Sequence, residues 1–176
     1  MIYPDKLEKN DIIEIISPSN GVKNKKIKTY EAGLDNLINY GFKVIEDKYV
    51  RNSENGVSSS ANNRADELNK AIIDKNVKAL IACSGGDYLI QILDLVKFDK
   101  IKNNVKWFQG QSDITPLLFY ITTKFDIATI YSFNAKTFGN KNLPESMITN
   151  NINMLKGNLT KQIEYGFKVD DDKMEQ

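Results

Sequence analysis

The chain has 176 residues, 41% of them hydrophobic and 27% charged, with a formal net charge of +1. That is enough for one domain with a sizeable core, and the near-neutral balance creates no global field favouring nucleic acid or an anionic membrane. A single cysteine, Cys83, and no histidine exclude an intrachain disulfide and a multi-cysteine metal site; neither a metal nor a cofactor is expected.

The opening residues, Met1-Ile2-Tyr3-Pro4-Asp5-Lys6, lack the basic stretch and apolar run of a secretory signal. No apolar run approaches the ~20 residues a bilayer requires, so a cytoplasmic location is expected. The lysines are scattered and read as a solvated surface.

Asp11–Ile16 is short and β-branched and runs into Ser17-Pro18-Ser19-Asn20-Gly21, a strand followed by a turn. Lys25–Tyr40 carries Ile27, Tyr30, Leu34, Leu37 and Ile38 at helical spacing, and Gly41 falls where a terminating glycine belongs. Phe42–Ile45 is a second strand. The polar stretch Asp47–Asn63 reads as a loop that either frames a site or is mobile. Arg64–Lys75 is helical, with Ala65, Leu68, Ala71 and Ile72 on one face.

Val77–Cys83 is nearly continuous in apolar residues, as in a strand buried on both faces, and ends in Ser84-Gly85-Gly86-Asp87. Tyr88–Val96 predicts a helix, and Phe98–Asn104 a short helical or turn segment. Val105–Gln109 predicts the strand that feeds Gly110-Gln111-Ser112-Asp113, and Ile114–Lys124 the helix that leaves it. Pro116 is tolerated there because the first turn needs no N–H from it. Ile127–Tyr131 predicts one more strand, Pro144–Leu155 a last helix, and Asn158–Val169 an extended or irregular stretch. The end, Asp170–Gln176, reads as a linker or tail.

Strands alternating with helices predict an α/β fold: an open, mostly parallel sheet flanked by helices, a Rossmann- or flavodoxin-like layer arrangement. Sites in such folds form beyond the carboxyl ends of the strands. Three turns belong to that edge: Ser17–Gly21, Ser84–Asp87 and Gly110–Asp113.

Gly110-Gln111-Ser112-Asp113 matches half of the Gly-x-Ser-x-Gly nucleophile elbow. A Ser-Asp pair at a helix start also serves as a cap, because either side chain can satisfy a free N–H. Gly85-Gly86 after a buried strand lets backbone N–H groups approach a ligand and form an anion-binding nest, for a phosphate or a tetrahedral oxyanion alike. Neither a complete dinucleotide fingerprint nor a Gly-Lys-Ser/Thr phosphate loop accompanies it, so a nucleotide-binding module rests on that turn alone.

The ordered set of motifs resembles the LD-carboxypeptidase family of serine peptidases. Ser17-Pro18-Ser19-Asn20-Gly21 is similar to its Ser-Pro-Ser-Ser-Gly opening, and Arg64-Ala65-Asp66-Glu67-Leu68 to its Arg-x-Ala-Asp-Leu helix start. Val77–Gly86 is similar to its Val-Lys-Ala-Ile segment leading to Gly-Gly, and Gly110–Thr115 to its nucleophile turn. Tyr131–Asn134 with Phe138-Gly139 is similar to a segment of the branch containing microcin self-immunity proteins.

The resemblance implies the N-terminal domain of a two-domain enzyme with a Ser-His-Glu triad. Carried over by position, Ser112 is the nucleophile, and the N–H of Asp113 with one from Gly85 or Gly86 forms the oxyanion hole. The implied reaction is hydrolysis of an amide bond beside a terminal carboxylate, in the L,D-linked D-alanine of muropeptides from cell-wall recycling. The microcin branch implies peptidyl or aminoacyl nucleotide conjugates instead.

The sequence departs from the family pattern at Gln111, where an aromatic is usual, at Asp87-Tyr88-Leu89 after the glycine pair, and at Ser132, where glycine is common. Neither Glu145 nor Glu164 lies in a motif matching the triad glutamate, and no histidine exists to match the triad histidine. A serine without its base stays protonated and is a weak nucleophile. The expectation is a nucleophile domain over residues 1–165, a linker or tail over 166–176, and a chain inactive by itself. A non-catalytic binding module on the same domain is the alternative, and apolar surface left for a missing half predicts a tendency to form homodimers.

Overall fold

A computed structural model describes residues 1–158. The expectations for Asn158–Val169 beyond its first residue, for the 166–176 linker and for Glu164 lie outside the described residues. Five strands, β1 (Ile12–Ile16), β2 (Lys43–Glu46), β3 (Val77–Ala82), β4 (Trp107–Gly110) and β5 (Ile130–Tyr131), form one sheet in the order β2-β1-β3-β4-β5. Every neighbouring pair is parallel. This is the open, helix-flanked sheet expected from the sequence, with flavodoxin-like strand order.

Alternation along the strands divides the core into two layers. Ile13 and Ile15 of β1, with Ala79 and Ile81 of β3, meet α1 (Ile27–Asn39) through Tyr30 and Leu37. Ile12 and Ile16, with Leu80 and Ala82, face α2 (Ala61–Ile73) and α3 (Thr115–Phe125) on the other side. The last helix, α4 (Glu145–Leu155), joins the α1 layer through Ile148, Ile152 and Leu155. Ile12 pairs with Val77 and Ile13 with Ala79, so Lys78 is an extra residue in β3 and escapes to solvent from a central strand.

Helix α1 ends as its glycine predicts. Gly41 has φ +102°, its N–H donates to Ile38 O (2.9 Å), and the Phe42 N–H donates to Leu37 O (3.3 Å). Those are the two bonds of a Schellman cap. Ser60 caps α2 by accepting the Asn63 N–H at 3.3 Å.

Several local expectations change. Helix α2 begins at Ala61, so the last three residues of the stretch expected as loop are helical. The segment predicted as a helix over Tyr88–Val96 is a 3-10 helix, Leu89–Leu95, because its first turn is held from outside the segment. The Tyr88 carbonyl accepts from both the Gln91 N–H (3.2 Å) and the Arg64 guanidinium (2.9 Å). The strand predicted over Val105–Gln109 starts later, at Trp107, since Lys106 turns its side chain beneath α2. The strand predicted over Ile127–Tyr131 shrinks to Ile130–Tyr131, and Ile2 takes the backbone pairing of Ile127.

Candidate active site

The carboxyl ends of β1, β3 and β4 bring the three predicted turns to one edge of the sheet, flanking the crevice between β1 and β3 where strand order reverses. Gln111 is extended (φ −147°, ψ 173°), Ser112 follows at φ +63°, and a 3-10 turn over Ser112–Ile114 leads into α3. A left-handed conformation costs a non-glycine residue about 1–3 kcal/mol and persists only where its surroundings enforce it. Here it lifts Ser112 out of the strand and leaves its side chain exposed.

Hydrogen bonds hold that turn on both sides. The Gln111 N–H donates to Asn134 Oδ1 (3.1 Å), the Ser112 N–H to the Tyr131 hydroxyl (3.4 Å), and the Thr115 hydroxyl to the Ser112 carbonyl. No Ser112 side-chain bond caps the following helix. The capping alternative therefore fails for Ser112 in this geometry.

Asp113 has the structural role instead. Its carboxylate accepts the Ser19 hydroxyl from the first turn and the N–H groups of Tyr88 and Leu89, both at 3.0 Å, beyond the glycine pair. One side chain thus joins all three turns. Arg64 reinforces the join from below: it is fully buried and donates to Ser59 O (3.0 Å), Pro18 O (2.7 Å), Tyr88 O (2.9 Å) and Gln91 Oε1 (2.6 Å). Burial lowers the affinity of its guanidinium for the proton, and the nearby Asp113 charge opposes that.

The two glycines face different neighbours. A Cβ at Gly85 would lie 3.1 Å from Ser112 Cβ and 3.3 Å from its Oγ, so the Gly85 backbone sits directly against the serine. A Cβ at Gly86 would overlap the Ser19 hydroxyl oxygen and crowd Asn20. Neither glycine N–H donates a hydrogen bond among the described residues. Ser112, Gly85, Gly86, Asn20, Asn134 and Lys136 share the lining of a cavity of about 420 Å³.

Behind the turns, Ser17 donates its hydroxyl to Asp47 (2.8 Å), binding the end of β1 to the end of β2. Burial pushes the Asp47 carboxyl up, against the bonds it accepts from Ser17 and Tyr49. Cys83 is buried and free, and burial pushes its thiol up, so it is a core residue with little thiolate character. The unusual Ser132 accepts the Asn151 amide of α4 at 2.6 Å, which ties the segment after β5 to the last helix. No group of three or more potential metal ligands occurs among the described residues, and no helix there is long and apolar enough to cross a membrane.

Sequence reasoning gathered Ser112, Asp113, Gly85 and Gly86, and the fold brings all four to one edge. It missed the carboxylate role of Asp113, since spacing says nothing about a bond to residues 94 positions away. It assigned no role to Tyr131, although the Tyr131–Asn134 segment carried part of the resemblance, and it missed Lys136, for which no local signal exists.

The sequence profile of the LD-carboxypeptidase N-terminal domain, Peptidase S66, matches residues 13–132. Putative carboxypeptidase YocD of Bacillus subtilis (strain 168) is 30% identical over 140 residues, covering 80% of this chain and 43% of YocD. The crystal structure of an MccF-like protein from Bacillus anthracis str. Ames superposes with TM-score 0.82 at 30% identity, covering 88% of this chain and 47% of that one. Microcin C7 self-immunity protein MccF in complex with aspartyl sulfamoyl adenosine superposes with TM-score 0.83 at 24% identity, covering 93% and 48%; at that identity the likeness is one of fold. The chain spans less than half the length of these relatives.

Proposed function

This chain belongs to the LD-carboxypeptidase (peptidase S66) family of hydrolases, and from that premise we propose that it supplies the nucleophile half of a serine-type carboxypeptidase. Ser112 attacks the carbonyl of an amide bond beside a terminal carboxylate. The Asp113 N–H, with one from Gly85 or Gly86, receives the oxyanion. The observation that carries this reading is the left-handed Ser112 on a strand-to-helix turn, with the Gly85 backbone against its side chain. Strain of this kind gathers at reacting groups because it exposes them to substrate.

The base that takes the Ser112 proton comes from outside these 176 residues, which contain no histidine. In this reading residues 1–165 form the nucleophile domain and 166–176 lead toward a second domain carrying Glu and His. The proposed substrate is a muropeptide ending in L,D-linked D-alanine, met in the cytoplasm during cell-wall recycling. A second reading, a peptidyl or aminoacyl nucleotide conjugate, draws support from the MccF neighbour, whose complex holds aspartyl sulfamoyl adenosine. A non-catalytic module, alone or as a homodimer, predicts no hydrolysis under any conditions.

The test joins this chain to the C-terminal domain of a relative and measures D-alanine release from a muropeptide tetrapeptide. Release by the joined enzyme, its loss in Ser112→Ala and no release by the 176-residue protein alone are the expected results. Turnover by the lone chain, or turnover that survives Ser112→Ala, sinks the reading. Removing the base lowers hydrolysis by about four or more orders of magnitude in Ser-His-Asp hydrolases of other folds, so the lone chain should sit at background.

A further inference from the structure

Lysines scattered through the sequence meet in one trough. Lys23, Lys25, Lys26 and Lys136 line the 420 Å³ cavity that contains Ser112. A neighbouring cavity of about 740 Å³ shares Lys26 and Lys136 and adds Lys28 and Lys141. No Asp or Glu lines either cavity, and none of these lysines enters an ion pair among the described residues. A chain of net charge +1 therefore concentrates positive charge at the proposed reaction centre, with Glu54 facing Lys23 and Lys25 only across the adjoining cavity.

The fold makes this arrangement through a close backbone contact. Gly33 of α1 meets the 3-10 turn Ala135–Gly139, and a Cβ on either Gly33 or Gly139 would strike the opposing backbone. That contact sets Lys136 beside the start of α1. Lys136 is half-buried, its N–H donates to Cys83 O (3.3 Å), and its Nζ lies 3.4 Å from Ser84 Oγ. Ser84 precedes Gly85, which touches Ser112. Asn20 also lines the cavity, with its Oδ1 buried against the Gly86 backbone.

Like charges crowded in a concave site repel one another until an anion enters, and a cleft focuses their field. Resting on the reading of Ser112 as nucleophile, we propose that the trough receives an anionic oxygen group of the substrate, a carboxylate or a phosphate. Lys136, whose Nζ reaches Ser84 beside Gly85, forms the ion pair with it. The remaining lysines draw the rest of an anionic substrate along α1.

The experiment titrates two ligand pairs into the 176-residue protein carrying Ser112→Ala and follows amide chemical shifts by NMR. One pair is acetyl-L-alanyl-D-alanine and its C-terminal amide; the other is adenosine monophosphate and adenosine. The anionic member of at least one pair should bind about tenfold more tightly, the size of a charge-assisted hydrogen bond, and should weaken as salt rises. The larger contrast identifies the source, a terminal carboxylate or a phosphate. Lys136→Met should remove most of that contrast and Lys136→Arg should restore it. Lys25→Met with Lys26→Met, both exposed positions, should weaken anion binding by about threefold.

Equal binding of charged and neutral members in both pairs overturns the proposal, as does an unchanged contrast in both lysine variants. Because the serine is absent throughout, the result is separate from the nucleophile assignment. Ser112-dependent hydrolysis with no anion preference would leave the proposed function standing and remove the trough.

Discussion

The two ends of α2 each receive a buried cation, and the cations differ in what they can do. Arg64, in the first turn, bonds three backbone carbonyls and the Gln91 amide at the edge that carries Ser112. Lys106, at the opposite edge, donates to the Ala71 and Asp74 carbonyls at 2.7 and 2.6 Å, where α2 leaves its last acceptors open. Neither makes an ion pair among the described residues. Arg64 cannot shed its proton under ordinary conditions, whereas burial pulls the Lys106 ammonium down to about 8. A neutral amine still has two N–H groups for its two carbonyls. The edge that carries Ser112 is thus fastened by a charge that persists, and the far edge by one that can disappear.

Removing Arg64 should be the costliest single change. Arg64→Leu leaves the Ser59, Pro18 and Tyr88 carbonyls without that donor and should cost about 3–5 kcal/mol. In a thermal melt that is a fall of roughly 10 °C. Arg64→Lys should recover less than half, because one ammonium cannot span the same acceptors. If Arg64→Leu melts no lower than Lys106→Met, the contrast between the two ends is broken.

Lys106→Met should cost about 1–2 kcal/mol at pH 7, since the bonds lost are partly offset by removing a desolvated charge. It should also change the alkaline profile. Between pH 8 and 10.5 the unfolded chain holds the Lys106 proton and the folded chain has released it. Stability contributed by this group therefore rises with pH through that window, and the rise should vanish in the variant. Denaturant midpoints across pH 7–10.5 measure it.

Glu14 sharpens the same comparison with the opposite sign. It lies on β1 at the α2 layer, where burial, helped by the Asp47 charge and opposed by Lys106, raises its carboxyl to about 7. Between pH 4.5 and 7 the folded chain keeps a proton that the unfolded chain has lost, so stability from Glu14 falls as pH rises. Glu14→Gln should flatten that fall, leaving the variant more stable above pH 7 by on the order of 1 kcal/mol after allowance for partial solvent access. A variant profile parallel to that of the parent would show that Glu14 does not carry the effect.

An effect no larger than that at Glu14 is expected at Ser112. Glycine accepts φ +63° without a Cβ penalty, so Ser112→Gly should stabilise the chain by about 1 kcal/mol, while Ser112→Ala keeps the penalty. An equal melting temperature for the two variants would mean that the edge held by Arg64 and Asp113 stores no strain at the serine.

The fold was legible because its signals are local. Ile12–Ile16 and Val77–Ala82 are short apolar runs, Gly41 punctuates α1, and each flanking helix repeats at the helical period. The errors fall where a distant group intervenes. Lys106 delays β4, Ile2 takes over the pairing of Ile127, and Asp113 with Arg64 tightens the turn after Tyr88 into a 3-10 helix. The candidate site was half legible: strand, glycine and serine in sequence point to Ser112, while the carboxylate that binds the three turns does not announce itself.

The serine turn, the glycine pair and the alternation of strand and helix were determined by the sequence alone, because backbone conformation and hydrophobic period are set by neighbours a few positions away. Only the tertiary structure decided that Asp113 braces the three turns, that Gly85 rather than Gly86 lies against Ser112, and that Lys136 lines the same cavities as Lys26. Those depend on where parallel strands end and how closely α1 and the 135–139 turn approach, distances that close through space between residues far apart in the chain.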